Sequence, residues 1–145
     1  MAIARSIALM LLASCGVWTS TLAQAQDDAI VGTWLTDAAD SKIEIARGAD
    51  SYTGKVVWLK QPQRNGKPAI DAKNEDPAQR SRPIMGLLIL SGISAAGNGL
   101  WRGTLYSPQR GRSYPVELSV AKDGRLDLKV KSGMLSKHVL WTHAQ

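Results

Sequence analysis

The sequence predicts an all-β domain, an antiparallel up-and-down barrel of eight strands. Apolar and polar residues alternate with a period of two in residues 42–45, 116–120 and 126–130, as in strands with one buried face. Short joints containing Gly, Asn or Asp separate such segments, and no segment has a long helical stripe of apolar residues. A barrel removes the exposed edges of a small sheet, so it is favoured over the alternative, a β-sandwich.

The eight strands are expected in close succession, joined by turns at 48–50, 97–99, 109–111 and 123–124. They lie near residues 30–36, 41–47, 52–60, 85–92, 99–106, 113–121, 125–131 and 136–143. Short joints imply antiparallel neighbours. Trp34 and Trp141 fall on the first and last strands, which must pair to close a barrel, so we expect these two side chains to close it.

Size and composition indicate one globular domain. The chain has 145 residues with one Cys and no Phe, which is too small for a multi-domain enzyme. Its 44% apolar and 21% charged content excludes a disordered tail and a bundle of membrane helices.

Charge is distributed unevenly, with a net charge of −4 over residues 26–54 and +9 over residues 55–145. This asymmetry fits an anionic partner, complementary faces of a homodimer, or an ordinary solvated surface. We do not expect nucleic acid as a partner of an exported chain.

Residues 1–25 are typical of a secretory signal peptide. Arg5 precedes an apolar run, residues 6–18, that is shorter than the ~20 residues a membrane-spanning helix needs. Small residues in Ala23-Gln24-Ala25 suit signal peptidase. We therefore expect cleavage after Ala25 and a single mature domain, residues 26–145, that is periplasmic or secreted.

The alternative for the N-terminus is a lipoprotein. Leu12-Ala13-Ser14-Cys15 matches the pattern cleaved before a lipidated Cys, which would tether the protein to a membrane. If cleavage follows Ala25 instead, Cys15 is removed, and the mature chain has no cysteine for a disulfide, a metal site or nucleophilic catalysis.

One connection, residues 61–84, is longer than the ~12–15 residues beyond which a loop is usually functional or mobile. It contains one helical turn: Asp76 is the expected N-cap, Pro77 the first position, and Gln79 the partner in a capping box. Pro83 ends the turn. We expect this loop to cover or flank the entrance of the barrel.

An ordered set of motifs resembles a known family. It begins with Gly32-Thr33-Trp34, which has the Gly-x-Trp form of lipocalin-type barrels. It continues with Gly54-Lys55-Val56-Val57-Trp58-Leu59-Lys60, Asp71, Asn74, Asp76, Arg80, Arg82-Pro83, Gly86-Leu87, Trp101-Arg102-Gly103, Tyr106-Ser107-Pro108, Gly111, Tyr114 and Trp141-Thr142. The set resembles the secreted bacterial, lipocalin-like family DUF2147, a domain of unknown function, over nearly all of residues 30–143.

The resemblance implies a lipocalin-like barrel in the periplasm or outside the cell, and it is compatible with a homodimer and with a small apolar ligand. The chain also departs from the family. Many relatives have Cys near positions 48 and 53, where this chain has Gly48 and Thr53, and an Arg where it has His143. A disulfide therefore does not carry over, and neither does the packing of a cation over Trp34.

The densest polar group lies in the long loop and has two interpretations. Its members are Asp71, Asn74, Glu75, Asp76, Arg80 and Arg82. In one interpretation Arg80 and Arg82 grip the anionic head group of a ligand. In the other, the group caps the helical turn, pairs internally and pins the loop. Its spacing lacks the alternation of a calcium loop, so no metal is expected.

Trp58, Trp101 and Tyr106 are the candidate side chains for lining an apolar ligand site. The alternative is that the tryptophans fill a core that has no Phe, because an eight-stranded barrel is only just wide enough for its own side chains or one small ligand.

His138 and His143 are the candidate general bases, but their spacing places them on opposite strand faces. Nor does the chain contain a phosphate loop, nucleophile elbow or zinc motif. We therefore expect no cofactor and no enzymatic activity. The first hypothesis is a carrier of a small, largely apolar ligand. The second is a non-catalytic envelope interaction module that uses a basic surface or a dimer face.

Overall fold

The computed structural model describes residues 28–145, which form a closed antiparallel barrel of eight strands. The barrel prediction is confirmed over the sandwich. The predicted signal peptide and Cys15 lie outside the described residues. Among residues 28–145, no helix has the length and apolar content needed to cross a bilayer.

Ten strands and two 3₁₀ turns make up the described chain. The strands are β1 (Gly32–Leu35), β2 (Ser41–Arg47), β3 (Tyr52–Leu59), β4 (Gln63–Arg64), β5 (Lys67–Pro68), β6 (Leu88–Gly97), β7 (Leu100–Ser107), β8 (Arg112–Val120), β9 (Leu126–Ser132) and β10 (Leu135–His143). The 3₁₀ turns are Asp28–Ile30 and Pro77–Gln79. Going round the barrel, the order is β1-β10-β9-β8-β7-β6-β3-β2, and β4 and β5 form a separate hairpin.

The eight predicted strands match the barrel strands, but the predicted segment 85–92 is wrong at both ends, because β6 spans Leu88–Gly97. It begins late because Gly86 has a φ of +81° in a turn, where the Leu87 amide donates to the Ile84 carbonyl. It continues past Gly92 because that residue, with a φ of +60°, sits in an irregularity of the β6–β7 pairing. A bulge absorbs such a residue without ending the strand.

The two ends of the barrel differ. At the closed end β10 finishes beside the start of β1, and the 3₁₀ turn Asp28–Ile30 buries Ile30 there. At the open end lie the β7–β8 turn, the β9–β10 turn and the long segment 60–87 between β3 and β6. Antiparallel order fixes this arrangement, because alternate turns fall at opposite ends.

The first and last strands pair, as barrel closure requires, but over a short length. The register joins Trp34 to His143 and Leu35 to Thr142. Within the described chain, residues 135–141 of β10 pair only with β9. The barrel wall is therefore complete at the closed end and incomplete beside β10 towards the open end.

The helical turn in the long segment begins as predicted, with the Asp76 carboxylate accepting from the Ala78 amide and Pro77 following it. The capping-box prediction for Gln79 is wrong. The Asp76 amide donates instead to the Asn74 side chain, at 2.9 Å, and Gln79 accepts from Arg82. The Asn74 side chain can accept this bond because its amide nitrogen is already fixed by hydrogen bonds to Asp71 and Tyr106.

Candidate functional site

The register of β7 to β10 identifies the side chains that face the barrel interior, because directly opposed residues share one face of a sheet. One inward row is Trp101, Leu118, Leu128 and Val139. The next row towards the open end is Gly103, Val116, Val130 and Lys137. Leu90, Leu105 and Tyr114 form a third row.

These rows lose burial steadily towards the open end. On β9, Leu126 and Leu128 are fully buried and Val130 is half-buried. On β10, Trp141 is buried and Val139 is half-buried, whereas Lys137 is exposed. The interior is thus packed at the closed end and accessible at the open end.

The accessible layer is mainly apolar. Its half-buried members are Leu105, Tyr114, Val130 and Val139, and three of them pack against the buried core. The mouth of a β-barrel, lined mainly by apolar side chains, is a common position for a small-molecule site. We call these four residues the open-end layer.

Trp101 supplies a polar group below this layer. Its side chain is 3% exposed and faces inward opposite Leu118. Among the described residues, its Nε1 is the buried side-chain polar atom without a hydrogen-bond partner. A buried N–H without an acceptor costs about 1–3 kcal/mol, so such a group needs an explanation such as a bound ligand or a water.

The closed end is sealed by Trp34 and its neighbours. The Trp34 indole N–H donates to the Ile30 carbonyl at 2.9 Å, and the His143 ring lies edge-on to the indole. Trp34 and Trp141 are both buried. The two predicted closure residues therefore lie in the packed half of the barrel.

Trp58, which the sequence predicts as a ligand-lining residue, lies outside the buried core of the barrel. It is 39% exposed, and the Lys42 ammonium lies 5.8 Å from the centre of its ring. The cause is a register shift between Lys42 and Ile43 in the β2–β3 pairing. A bulge re-aims the side chains that follow it, which a strict alternation count does not anticipate.

Tyr106 is bonded to the long loop and is not part of the open-end layer. Strand alternation places it on the opposite face from Leu105, and its hydroxyl donates to the carboxylate of Asp71 at 2.7 Å. The Asn74 amide donates to the same hydroxyl, and the Arg82 guanidinium lies 5.1 Å from the ring centre. Burial, and then the bond to Asp71, raise the pKa of Tyr106 above its ordinary value.

Asp71 is the centre of the loop network. It is fully buried and accepts from Tyr106, from Asn74 at 2.8 Å and from two nitrogens of Arg82 at 3.0 Å. Arg80 donates from Nε to the Asn74 carbonyl at 2.8 Å. These contacts match the pinning interpretation of the loop, since Asp71, Asn74, Arg80 and Arg82 each have a partner inside the network.

The loop also contacts the β7–β8 turn directly. The Glu75 amide donates to the Gly111 carbonyl, and the Glu75 carboxylate pairs with Arg112 at 2.9 Å. A Cβ on Gly111 would overlap the Lys73 carbonyl. The loop therefore flanks the open end on the β7–β8 side.

The two histidines lie on opposite faces, as their spacing predicts. His143 opposes Trp34, whereas His138 opposes Lys129 and bonds through Nδ1 to Asp127 at 2.9 Å. His138 borders a shallow outer depression of about 200 Å³. Ser119 on β8 opposes Asp127 on β9. The side chain that His138 contacts is Asp127.

The outer face of β7 to β9 carries paired charges. Glu117 accepts from Arg102 at 2.8 Å and pairs with Lys131 at 3.1 Å. Hydrogen bonds from Arg102 and then Lys131 lower the pKa of Glu117 below its usual range. No group of three or more His, Cys, Asp or Glu side chains within residues 28–145 is arranged to hold a metal ion.

Lys137 is the site residue that sequence reasoning missed. The alternation Leu135, Lys137, Val139, Trp141 places it on the face of a buried Trp. This alternation is visible in the sequence, but a charged residue in a strand is ordinarily assigned to the solvent face.

Comparisons with known proteins agree with this architecture. Residues 32–143 match the model of a family described as an uncharacterized protein conserved in bacteria, DUF2147. A solved structure described as protein HP1028 from Helicobacter pylori, which belongs to the lipocalin family, superposes with a TM-score of 0.66 at 20% identity. The alignment covers 79% of this chain and 82% of that one. No curated protein matches.

Proposed function

Because the chain belongs to the bacterial DUF2147 family and folds as a lipocalin-like barrel, we propose that it carries a small, largely apolar ligand in the open half of the barrel. The observation that carries this proposal is the indole N–H of Trp101, which is buried without an acceptor in the same inward row as Val139 of the open-end layer. A ligand whose apolar body carries a hydrogen-bond acceptor would complete both features.

The choice of ligand residues follows the geometry. The open-end layer offers apolar contact, and Trp101 offers a donor. Trp58 lies on the outer surface, while Tyr106, Arg80 and Arg82 serve the loop network. The proposed ligand site therefore does not include Trp58, Tyr106, Arg80 or Arg82.

Fluorescence titration with the neutral apolar probe N-phenyl-1-naphthylamine tests the proposal. Probe in the barrel should quench tryptophan emission, with little dependence on salt. Trp101→Phe should reduce that quenching, whereas Trp58→Phe, the matched control on the outer surface, should leave it intact. Equal loss in both variants, or no quenching in the wild type, would overturn the proposal.

We also propose that the protein acts in the periplasm or outside the cell and is not an enzyme. The character of residues 1–25 supports export. The mass of the mature chain distinguishes cleavage after Ala25 from lipid attachment at Cys15. His138 contacts a carboxylate and no nucleophile within the described chain, which supports a non-catalytic role.

A second candidate function is the interaction module, and one observation favours a dimer face for it. Val57, Trp58, Met85 and Leu88 are each 38–46% exposed. They are near one another, because the Gly86 amide donates to Val56 and Leu88 opposes Lys55. Trp58→Ser should lower the sedimentation coefficient of a dimer that uses this face, whereas an unchanged monomer in both proteins would argue against it.

A further inference from the structure

The side chain of Lys137 is a cation at the rim of the proposed ligand site. Lys137 opposes Val130 on β9, and Val130 in turn opposes the buried Val116 on β8. These pairings put Lys137 on the inward face of β10, one row above Val139. Its side chain is exposed, and it makes no ion pair or hydrogen bond with residues 28–145.

The position of Lys137 is open to a small molecule. Residues 135–141 of β10 have no partner on the β1 side within the described chain, so the ammonium is approached through the incomplete part of the wall. Its inward neighbours are apolar, and an ammonium beside an apolar surface is attracted more strongly to an anion than a fully hydrated one.

Several other cations near the open end are bonded or face away. Arg82 is bonded to Asp71, Arg80 to the Asn74 carbonyl, and Arg112 to Glu75. Lys129 and Lys131 alternate with the inward Val130, so they face the outer surface. Lys137 differs from these five because it stands in an inward row of the barrel, beside the open-end layer.

We propose that the ligand is an amphiphile with one anionic head group of the carboxylate type, bound by Lys137 at the rim while its apolar body covers Val130 and Val139. This inference rests on the proposed carrier function. The strand rise places the Lys137 and Val139 backbones about 7 Å apart, so a short ligand can span from the head-group site to the row that contains Trp101.

Calorimetric titration with decanoate and with decanol, both below the concentration at which they aggregate, tests the proposal. The wild type should bind decanoate about two- to fivefold more tightly than decanol, because one exposed charged contact is worth roughly that factor. Lys137→Met should abolish this preference, and Lys137→Arg should retain it. Lys129→Met, the matched control, removes the same charge from the outer face of the neighbouring strand and should also retain it.

The outcomes separate this inference from the carrier function. Equal affinities for decanoate and decanol in the wild type, or a preference that persists in Lys137→Met, would overturn the head-group assignment while leaving the carrier intact. Binding of neither compound, together with no response to N-phenyl-1-naphthylamine, would overturn both. Thermal unfolding of each variant confirms that the comparison is made between folded proteins.

Discussion

The imidazole of His143 packs edge-on against the indole of Trp34, with ring centres 5.1 Å apart and planes inclined at 71°. This pair joins the last strand to the first, where two paired positions and a hydrogen bond from the Ala144 amide to the Thr33 carbonyl close the barrel. The family resemblance implies an Arg at position 143, where this chain has His. An aromatic edge contact takes that place.

Gly32 is required for this closure. It has a φ of +143°, and a Cβ at this position would lie 3.0 Å from His143 Nε2. We expect Gly32→Ala to lower the free energy of unfolding by about 1–3 kcal/mol, from backbone strain and the close approach. In a His143→Ala background the same substitution should cost less. A double-mutant cycle in urea measures this coupling, and strictly additive effects would mean that the contact with His143 is unimportant.

Gly111 should be essential for docking the long loop. Gly111→Ala has to displace the Lys73 backbone as well as strain a residue with a φ of +74°. Gly124→Ala is the matched control, because Gly124 has a φ of +81° with open space around it. We expect the free energy of unfolding to fall by about 1 kcal/mol in Gly124→Ala and by clearly more in Gly111→Ala. Proteolysis inside the long loop should also be faster in Gly111→Ala. Similar losses in both variants would argue against the packing role.

Arg82 should matter for stability and not for ligand affinity. Arg82→Ala leaves the buried carboxylate of Asp71 short of two bonds, so the free energy of unfolding should fall by about 1–3 kcal/mol. Arg80→Ala loses one described bond and should cost less. Urea denaturation and decanoate titration of both variants check this. A loss of affinity at unchanged stability would restore the interpretation in which the arginines grip the head group.

The bond between Tyr106 and Asp71 predicts a pH dependence on the alkaline side. Burial and the carboxylate raise the folded-state pKa of Tyr106 above the unfolded value of about 10. The contribution of the Tyr106 hydroxyl to the free energy of unfolding is therefore fully present below pH ~10. It is lost as the pH rises through the folded-state pKa of Tyr106. Tyr106→Phe should make the free energy of unfolding fall less steeply above pH ~10. Parallel curves for wild type and Tyr106→Phe would contradict the assignment. The pKa of Tyr52 is raised as well, so part of the loss of stability at alkaline pH should persist in Tyr106→Phe.

Much of the fold could be predicted from the sequence because its signals are local. Period-two alternation marks strands such as β9, and the short turns fix antiparallel order. Failures occur where the register changes. The irregularity at Gly92 lengthened β6, and the bulge beside Lys42 turned Trp58 outward. The bulge beside Lys42 leaves no mark in the composition of its segment, so pattern counting does not detect it. Gly92 is such a mark, but a glycine can either end a strand or form a bulge within it.

The candidate site was harder to predict, because its members come from different strands. The loop network could be anticipated as a cluster, but its attachment to Tyr106 depends on a contact between residues 35 positions apart. The missing acceptor at Trp101 is a property of packing in three dimensions. Lys137 was the exception, since its inward position follows from alternation along β10 alone.

The most direct test of the carrier function is native mass spectrometry of the mature protein, purified gently from the bacterium that produces it. The account predicts a reproducible additional mass that disappears on denaturation, fragments as an anionic amphiphile, and is depleted in Lys137→Met but not in Lys129→Met. A clean polypeptide mass, as monomer or dimer, would contradict the carrier function and shift attention to the exposed apolar face around Trp58.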